Sequence, residues 1–221
     1  MWLGDHCQGP RHFWGSVPYN ELMSTGKLIV GITGASGAIY AQRFLAQAIR
    51  HYESIYLTMS DQAFQVARTE LGINLSRDDF CTRTWLGVDA PEIHLLSERD
   101  YFTPPASGSF VHDGMVIVPC SMGTAGRIAN GISNDLLTRS AEVCLKERRP
   151  LILVPREMPW SLITLRNMTA LAEAGTVVMP ASPAWYTQPK TLEELADTVV
   201  ARILQQLGLR QDIQRPWMAD E

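Results

Sequence analysis

The chain has 221 residues, 46% apolar and 19% charged, which is enough apolar side chain for one sizeable core and a length that favours a single domain. Its formal net charge of -4 leaves no electrostatic footprint for nucleic acid or an anionic membrane, so a phosphorylated partner is expected to be small and held by local groups. No apolar run approaches the roughly 20 residues of a membrane span. The cysteines Cys7, Cys81, Cys120 and Cys144 form neither a CxxC pair nor a metal-ligand spacing, which suits a reducing compartment, the cytoplasm by default.

Residues 1–22 mix polar, aromatic, Gly and Pro residues without period and lack the apolar core of a signal peptide. They read as an extension outside the fold, leaving a single domain over 23–221. From Lys27 onward, short β-branched runs alternate with stretches of helical period, the pattern of βαβ units around a parallel sheet covered on both faces. The first strand is expected over 27–33, followed by a helix over 38–50.

The junction reads Gly31-Ile32-Thr33-Gly34-Ala35-Ser36-Gly37, small residues that let backbone N–H groups approach an anion at a helix N-terminus. Such a turn serves tight packing about as often as ligand binding. Its glycine spacing is not that of the dinucleotide fingerprint. The second strand, 55–59, ends at Ser60 rather than at an acidic residue, which suits a mononucleotide better. A helix over 61–69 and a short strand over 93–96 follow.

After the aromatic pair Tyr101-Phe102 comes Pro104-Pro105-Ala106-Ser107-Gly108-Ser109, a stiff turn and then a hydroxyl-rich stretch whose plain reading is a surface turn. The next strand, 114–119, runs into Cys120-Ser121-Met122-Gly123-Thr124 and a helix over 124–130. Two loops of small hydroxyl and glycine residues on one edge of a parallel sheet place a ligand crevice between them, although Ser121 and Thr124 also suit helix capping. The helix over 135–148 ends in Lys146-Glu147-Arg148-Arg149, which complements the helix dipole.

The strand over 151–155 is followed at once by Arg156-Glu157, an always-cationic guanidinium and a titratable carboxylate at the same crevice edge. Together they are a minimum set for chemistry on a phosphorylated substrate. A helix over 161–174, a strand over 176–179 and a proline-flanked loop containing Tyr186 lead to the last helix, 192–207, which carries Arg202. Thr191 with Glu194 makes a capping box for it, and Gly208 supplies a left-handed stop. The tail 211–221 is polar apart from Ile213, Trp217 and Met218.

Taken in order, Gly34-Ala35-Ser36-Gly37-Ala38-Ile39-Tyr40, Pro119-Cys120-Ser121, Leu145-Lys146-Glu147-Arg148-Arg149-Pro150-Leu151 and Pro155-Arg156-Glu157 resemble the UbiX-type flavin prenyltransferases, from Lys27 to about Trp217. The resemblance implies an α/β, Rossmann-like three-layer αβα sandwich of flavoprotein type, assembled as a homododecamer with active sites at subunit junctions. It implies FMN held by Gly34, Ala35, Ser36, Ser60, Ser121, Met122, Gly123, Thr124, Arg139 and Arg156. Dimethylallyl monophosphate would be held by Lys146, Arg156, Glu157, Tyr186, Arg202 and Ser107.

The implied reaction joins the dimethylallyl group to N5 and C6 of reduced FMN without a metal, giving prenylated FMN for a UbiD-type decarboxylase. Cationic donors such as Lys146 would stabilise the departing phosphate, Glu157 with Ser36 and Glu70 would move protons, and the π faces of Trp217 and Tyr101 would face the allylic cation. Some relatives carry Trp at the position of Tyr101. Two rivals share the pattern: an FMN-dependent cysteine decarboxylase of the phosphopantothenoylcysteine type, for which none of His6, His12, His51, His94 and His112 stands out as the catalytic histidine, and a non-catalytic flavin carrier.

Overall fold

The computed structural model describes residues 26–214; the extension 1–22 and Trp217 lie outside them. The elements are β1 (Lys27–Ile32), α1 (Ala38–Ala48), β2 (Ser54–Met59), α2 (Asp61–Leu71), α3 (Thr82–Leu86), β3 (Ile93–Leu96), β4 (Met115–Cys120), α4 (Met122–Ala129), α5 (Leu136–Lys146), β5 (Leu151–Pro155), α6 (Leu162–Glu173), β6 (Val177–Val178) and α7 (Leu192–Gln206). All pairings are parallel and the order is β3-β2-β1-β4-β5-β6. The order reverses between β1 and β4, so the crevice of an open α/β sheet falls at their carboxyl ends.

The centre of the sheet is buried on both faces because β4, β5 and most of β1 are apolar at consecutive positions rather than at every second one. Leu28, Val30 and Ile32 of β1, with Val116, Val118, Ile152 and Val154, pack under α1, α2, α3 and α7. The alternate residues Ile29, Met115, Ile117, Leu151 and Leu153 pack under α4, α5 and α6. A Cβ on Gly31 would lie 2.9 Å from Leu137 Cδ1, so the glycine lets α5 sit directly on β1. Helix α7 is fastened to α1 by a bidentate pair, in which Arg43 Nε and Nη2 donate to the Asp197 carboxylate at 2.8 and 2.6 Å. The result is a Rossmann-like three-layer αβα sandwich.

The punctuation expected at the last helix is present: Thr191 Oγ1 accepts from Glu194 N–H at 3.1 Å, and Gly208 has a φ of 74°. The return bond of the box goes to Lys190 N–H instead of Thr191 N–H, at 2.6 Å from Glu194 Oε2. Two differences from the periodicity have plain causes. Helix α4 starts at Met122 rather than 124, because Ser121, not Thr124, is its N-cap. Helix α3 is five residues, too short to show a helical period, and forms because Trp85 is buried against the core.

Candidate active site

Four loops meet at the carboxyl edge around the β1/β4 switch point. Loop one leaves β1 through Thr33 and enters α1 at Gly37, whose φ of 110° requires a residue without Cβ. Gly34 is small for a different reason: a Cβ there would lie 2.4 Å from the Cβ of Gln62, so α2 packs against the loop backbone. Ala35 is buried while Ser36 is exposed.

No side chain on its own loop caps α1. The Glu70 carboxylate, from the far end of α2, accepts from Gly37 N–H at 2.9 Å and Ala38 N–H at 2.8 Å. The open anion cradle expected from the small-residue turn is therefore closed by the chain's own carboxylate at these two donors, which satisfies first-turn N–H groups and the positive end of the helix dipole.

Ser60 and Ser121, at the ends of β2 and β4, both serve as N-caps. Ser60 Oγ accepts from Ala63 N–H at 3.2 Å, and Ser121 Oγ accepts from Thr124 N–H at 3.3 Å while donating to Thr124 Oγ1 at 3.1 Å. Their hydroxyls stand on either side of the end of β1, since Ser60 N–H donates to Ile32 carbonyl and Ser121 N–H to Thr33 Oγ1. Met122 and Gly123 open α4, and a Cβ on Gly123 would meet nothing within 4 Å. Burial pushes the Cys120 thiol up to about 12, so it carries no thiolate at neutral pH.

The fourth loop follows β5. Arg156 N–H donates to Cys120 carbonyl at 3.3 Å, and its Nε donates to Ser36 carbonyl at 3.1 Å, spanning the crevice from the β5 side to loop one. The Arg156 side chain runs beside the start of α1, its Cγ 4.0 Å from where a Cβ on Gly37 would stand; burial raises the pKa of Tyr40, and the Arg156 guanidinium opposes that rise. Glu157 is exposed, with Oε1 accepting from Met158 N–H at 3.0 Å and its carbonyl accepting from Trp160 Nε1 at 2.9 Å. Ser36, Arg156 and Glu157 are thus on loops at this one edge, and Glu70 reaches it from the end of α2 through its bonds to the start of α1.

The flank of α5 holds two further expected residues. Tyr101 OH donates to Ser133 carbonyl at 3.4 Å, and Arg139 donates from Nε to Ala106 carbonyl at 3.2 Å and from Nη1 to Glu142 at 3.0 Å. Lys146 and Ser107 do not join the group at Arg156 within one chain. Helix α5 begins beyond the carboxyl end of β3, where Leu136 N–H donates to Glu98 carbonyl, and ends beside the start of β5.

Lys146 accordingly sits at the opposite, amino edge, paired with Glu147 and close to Gly108. Arg149 there donates to the carbonyls of Phe110 and Gly108 at 2.7 and 2.6 Å, and Lys27, the first residue of β1, lies over the Phe110 ring. The five residues of β5 put roughly 16 Å of strand between that edge and Arg156. A single chain therefore holds Lys146 and Arg156 at opposite ends of the sheet, and their expected convergence on one phosphate is not made within one chain.

Tyr186 OH accepts from Gln214 Nε2 at 3.0 Å. Arg202 donates to Gln205 Oε1 at 2.6 Å and lines a cavity of about 270 Å³ with Val177, Met179, Ser182 and Thr198 beside β6, at the end of the strand order. Thr33 and Gln62 were not legible as site residues. The signal available for Thr33 was a hydroxyl at a strand end beside a strand whose last residue but one, Pro119, has no N–H to offer. Among the described residues, no group of three or more His, Cys, Asp or Glu could hold a metal ion, and no helix is long and apolar enough to cross a membrane.

Comparison with known proteins extends this geometry. The Flavoprotein family model matches residues 16–204. The flavin prenyltransferase UbiX of Pseudomonas aeruginosa is 42% identical over 195 residues, covering 86% of this chain and 93% of the relative. A crystal structure of AnUbiX (PadA1) in complex with FMN and dimethylallyl pyrophosphate superposes with a TM-score of 0.77 at 36% identity, covering 88% of this chain and 98% of the other. A dodecameric FMN-dependent UbiX-like decarboxylase from Escherichia coli O157:H7 gives a TM-score of 0.77 at 38% identity, covering 87% and 100%. On a match over most of its length and this degree of identity, the chain belongs to the Flavoprotein family and, within it, to the UbiX-type flavin prenyltransferases.

Proposed function

We propose that this chain is a flavin prenyltransferase that joins a dimethylallyl group from dimethylallyl monophosphate to N5 and C6 of reduced FMN. The observation that carries the reading is the guanidinium of Arg156 anchored on Ser36 carbonyl across a crevice at the β1/β4 switch point. It sets a permanent cation between two small-residue loops, where a flavin and a phosphate leaving group can share one wall. FMN, when bound, supplies the nucleophilic ring atoms that take the prenyl group.

In this reading FMN is held by Gly34, Ala35, Ser36, Ser60, Ser121 to Thr124, Arg139 and Arg156. The exposed Ser36 and the strand-end hydroxyls suit a polar mononucleotide, and the exposed, unobstructed Gly123 leaves room for close approach. Arg156 and Lys146, with Tyr186, Arg202 and Ser107, hold the prenyl phosphate, and their cationic heads stabilise it as it departs, without a metal. Glu157 removes the proton lost on ring closure, with Ser36 and Glu70 in the same proton network, and Tyr101 and Trp217 face the dimethylallyl group.

Because Lys146 lies at the edge opposite Arg156, the phosphate site is completed by neighbouring chains in a homo-oligomer, a dodecamer by the likeness to the Escherichia coli protein. The reading locates the enzyme in the cytoplasm, supplying prenylated FMN to a UbiD-type decarboxylase. Anaerobic incubation with reduced FMN and dimethylallyl monophosphate should give a flavin heavier by one prenyl unit. Flavin returned unchanged would leave a carrier, and release of carbon dioxide from a cysteine-containing substrate would favour the decarboxylase rival. Glu157→Gln should cut the yield of the four-ring product by about 100-fold while FMN still binds, measured by mass and absorbance.

A further inference from the structure

The ladder between β1 and β4 pairs Ile29 with Met115, Val30 with Val116 and Gly31 with Ile117, and extends no further as strand pairing. Two features end it. Pro119 has no N–H to donate, and the β4–β5 register shifts between Ile117 and Cys120. Yet it is beyond this point that β1 and β4 deliver the two loops that form the walls of the crevice.

The gap is closed by one residue. Thr33 Oγ1 donates to Pro119 carbonyl at 2.9 Å and accepts from Ser121 N–H at 2.7 Å, and Thr33 N–H donates to the same carbonyl at 3.3 Å. The residue is 3% exposed, so water cannot readily substitute for the hydroxyl. A single oxygen atom thus reinforces the long backbone bond: it adds a second, shorter donor to the Pro119 carbonyl on one side and satisfies the N-cap amide of α4 on the other.

We infer that Thr33 is a positioning residue that sets the spacing between the Gly34–Ser36 wall and the Ser121–Thr124 wall, and thereby the fit of the flavin between them. The inference rests on the proposed flavin site and adds to it a residue that need not touch the ligand. Its conformation is fixed by the two bonds, so a side chain that keeps the hydroxyl keeps the spacing.

The full-length protein with Thr33→Ser, Thr33→Val or Thr33→Ala would be titrated with FMN by fluorescence quenching. The visible circular dichroism of the bound flavin and the melting temperature of the flavin-free chain would be recorded alongside. The Val and Ala variants should bind FMN about tenfold more weakly, with an altered flavin dichroism, while Ser stays within about twofold of wild type. Where Val prevents folding, Ala, which removes the hydroxyl without putting a methyl group in its place, carries the comparison. Val or Ala variants that melt earlier yet bind FMN with unchanged affinity and dichroism would overturn the inference alone; a wild-type chain that binds no FMN would overturn the flavin reading and this inference with it.

Discussion

The carboxyl and amino edges of the sheet are furnished very differently by one chain. At the carboxyl edge, loops are cross-linked: Thr33 joins β1 to β4, Arg156 joins the β5 loop to Ser36, and Glu70 ties the end of α2 to the start of α1. At the amino edge, Lys146 projects from the end of α5 beside Glu147, while Arg149, Phe110 and His112 pack the corner. One chain therefore builds the wall proposed for the flavin, but it divides the cations proposed for a single phosphate between its two ends. On that proposal, a closed site needs the amino edge of one copy to meet the carboxyl edge of another.

The largest expected effect breaks or upholds that division directly. Lys146→Ala and Arg156→Ala should each lower prenyl transfer by about 100-fold or more, through loss of a cation on the leaving phosphate. Assemblies formed by co-expressing the two variants should regain a substantial fraction of activity, because an intact Lys146 from one chain meets an intact Arg156 from another. Mixed assemblies as inactive as the parents would mean that both residues serve the same chain's site.

The amino edge should also be the more sensitive to acid. Burial pushes the His112 imidazole down from 6.5 to about 4, with the Arg149 guanidinium adding to the shift and the bond to Gly114 carbonyl opposing it. The folded chain then refuses a proton that the unfolded chain accepts. Stability is thus full above about pH 6.5 and falls as pH drops toward 4, by about 2 to 3 kcal/mol for this group. Urea unfolding at pH 7 and pH 4.5 should show that drop in wild type and a smaller one in His112→Asn. Equal drops would remove His112 as the cause.

At the carboxyl edge, two glycines of the same expected class should part company. Gly34→Ala drives a Cβ to within 2.4 Å of Gln62 and should cost about 1–3 kcal/mol together with flavin affinity. Gly123→Ala has open space around its new methyl and lies in the first turn of α4, so stability should rise by up to about 1 kcal/mol. If Gly123 is small for the sake of a flavin, FMN affinity should fall even so, which calorimetry would separate from the melting curve. Unchanged affinity would reduce it to an ordinary helix position.

Much of the site's chemistry was legible because strand ends announce themselves. Apolar runs stop at Ser60, Ser121 and Arg156, and in a parallel sheet such stops gather on one edge without further information. Glu70 was legible by resemblance, yet its bond to the α1 N-terminus was not, because it joins residues 32 and 33 positions apart. Lys146 illustrates the opposite case. Its helical setting was readable, but a helix that crosses back over the sheet reverses which edge its last residue reaches.

The sequence by itself determined the alternation of strands and helices, the two buried faces of the sheet and the identity of the crevice-edge residues, since these follow from periodicity and from where apolar runs end. Tertiary structure alone decided that Glu70 fills the helix end ahead of it, that Thr33 bridges the gap opposite Pro119, and that Lys146 stands away from Arg156. Those three facts depend on packing between segments far apart in the chain. There a distance of a few ångströms decides which donor meets which acceptor, and no local pattern records it.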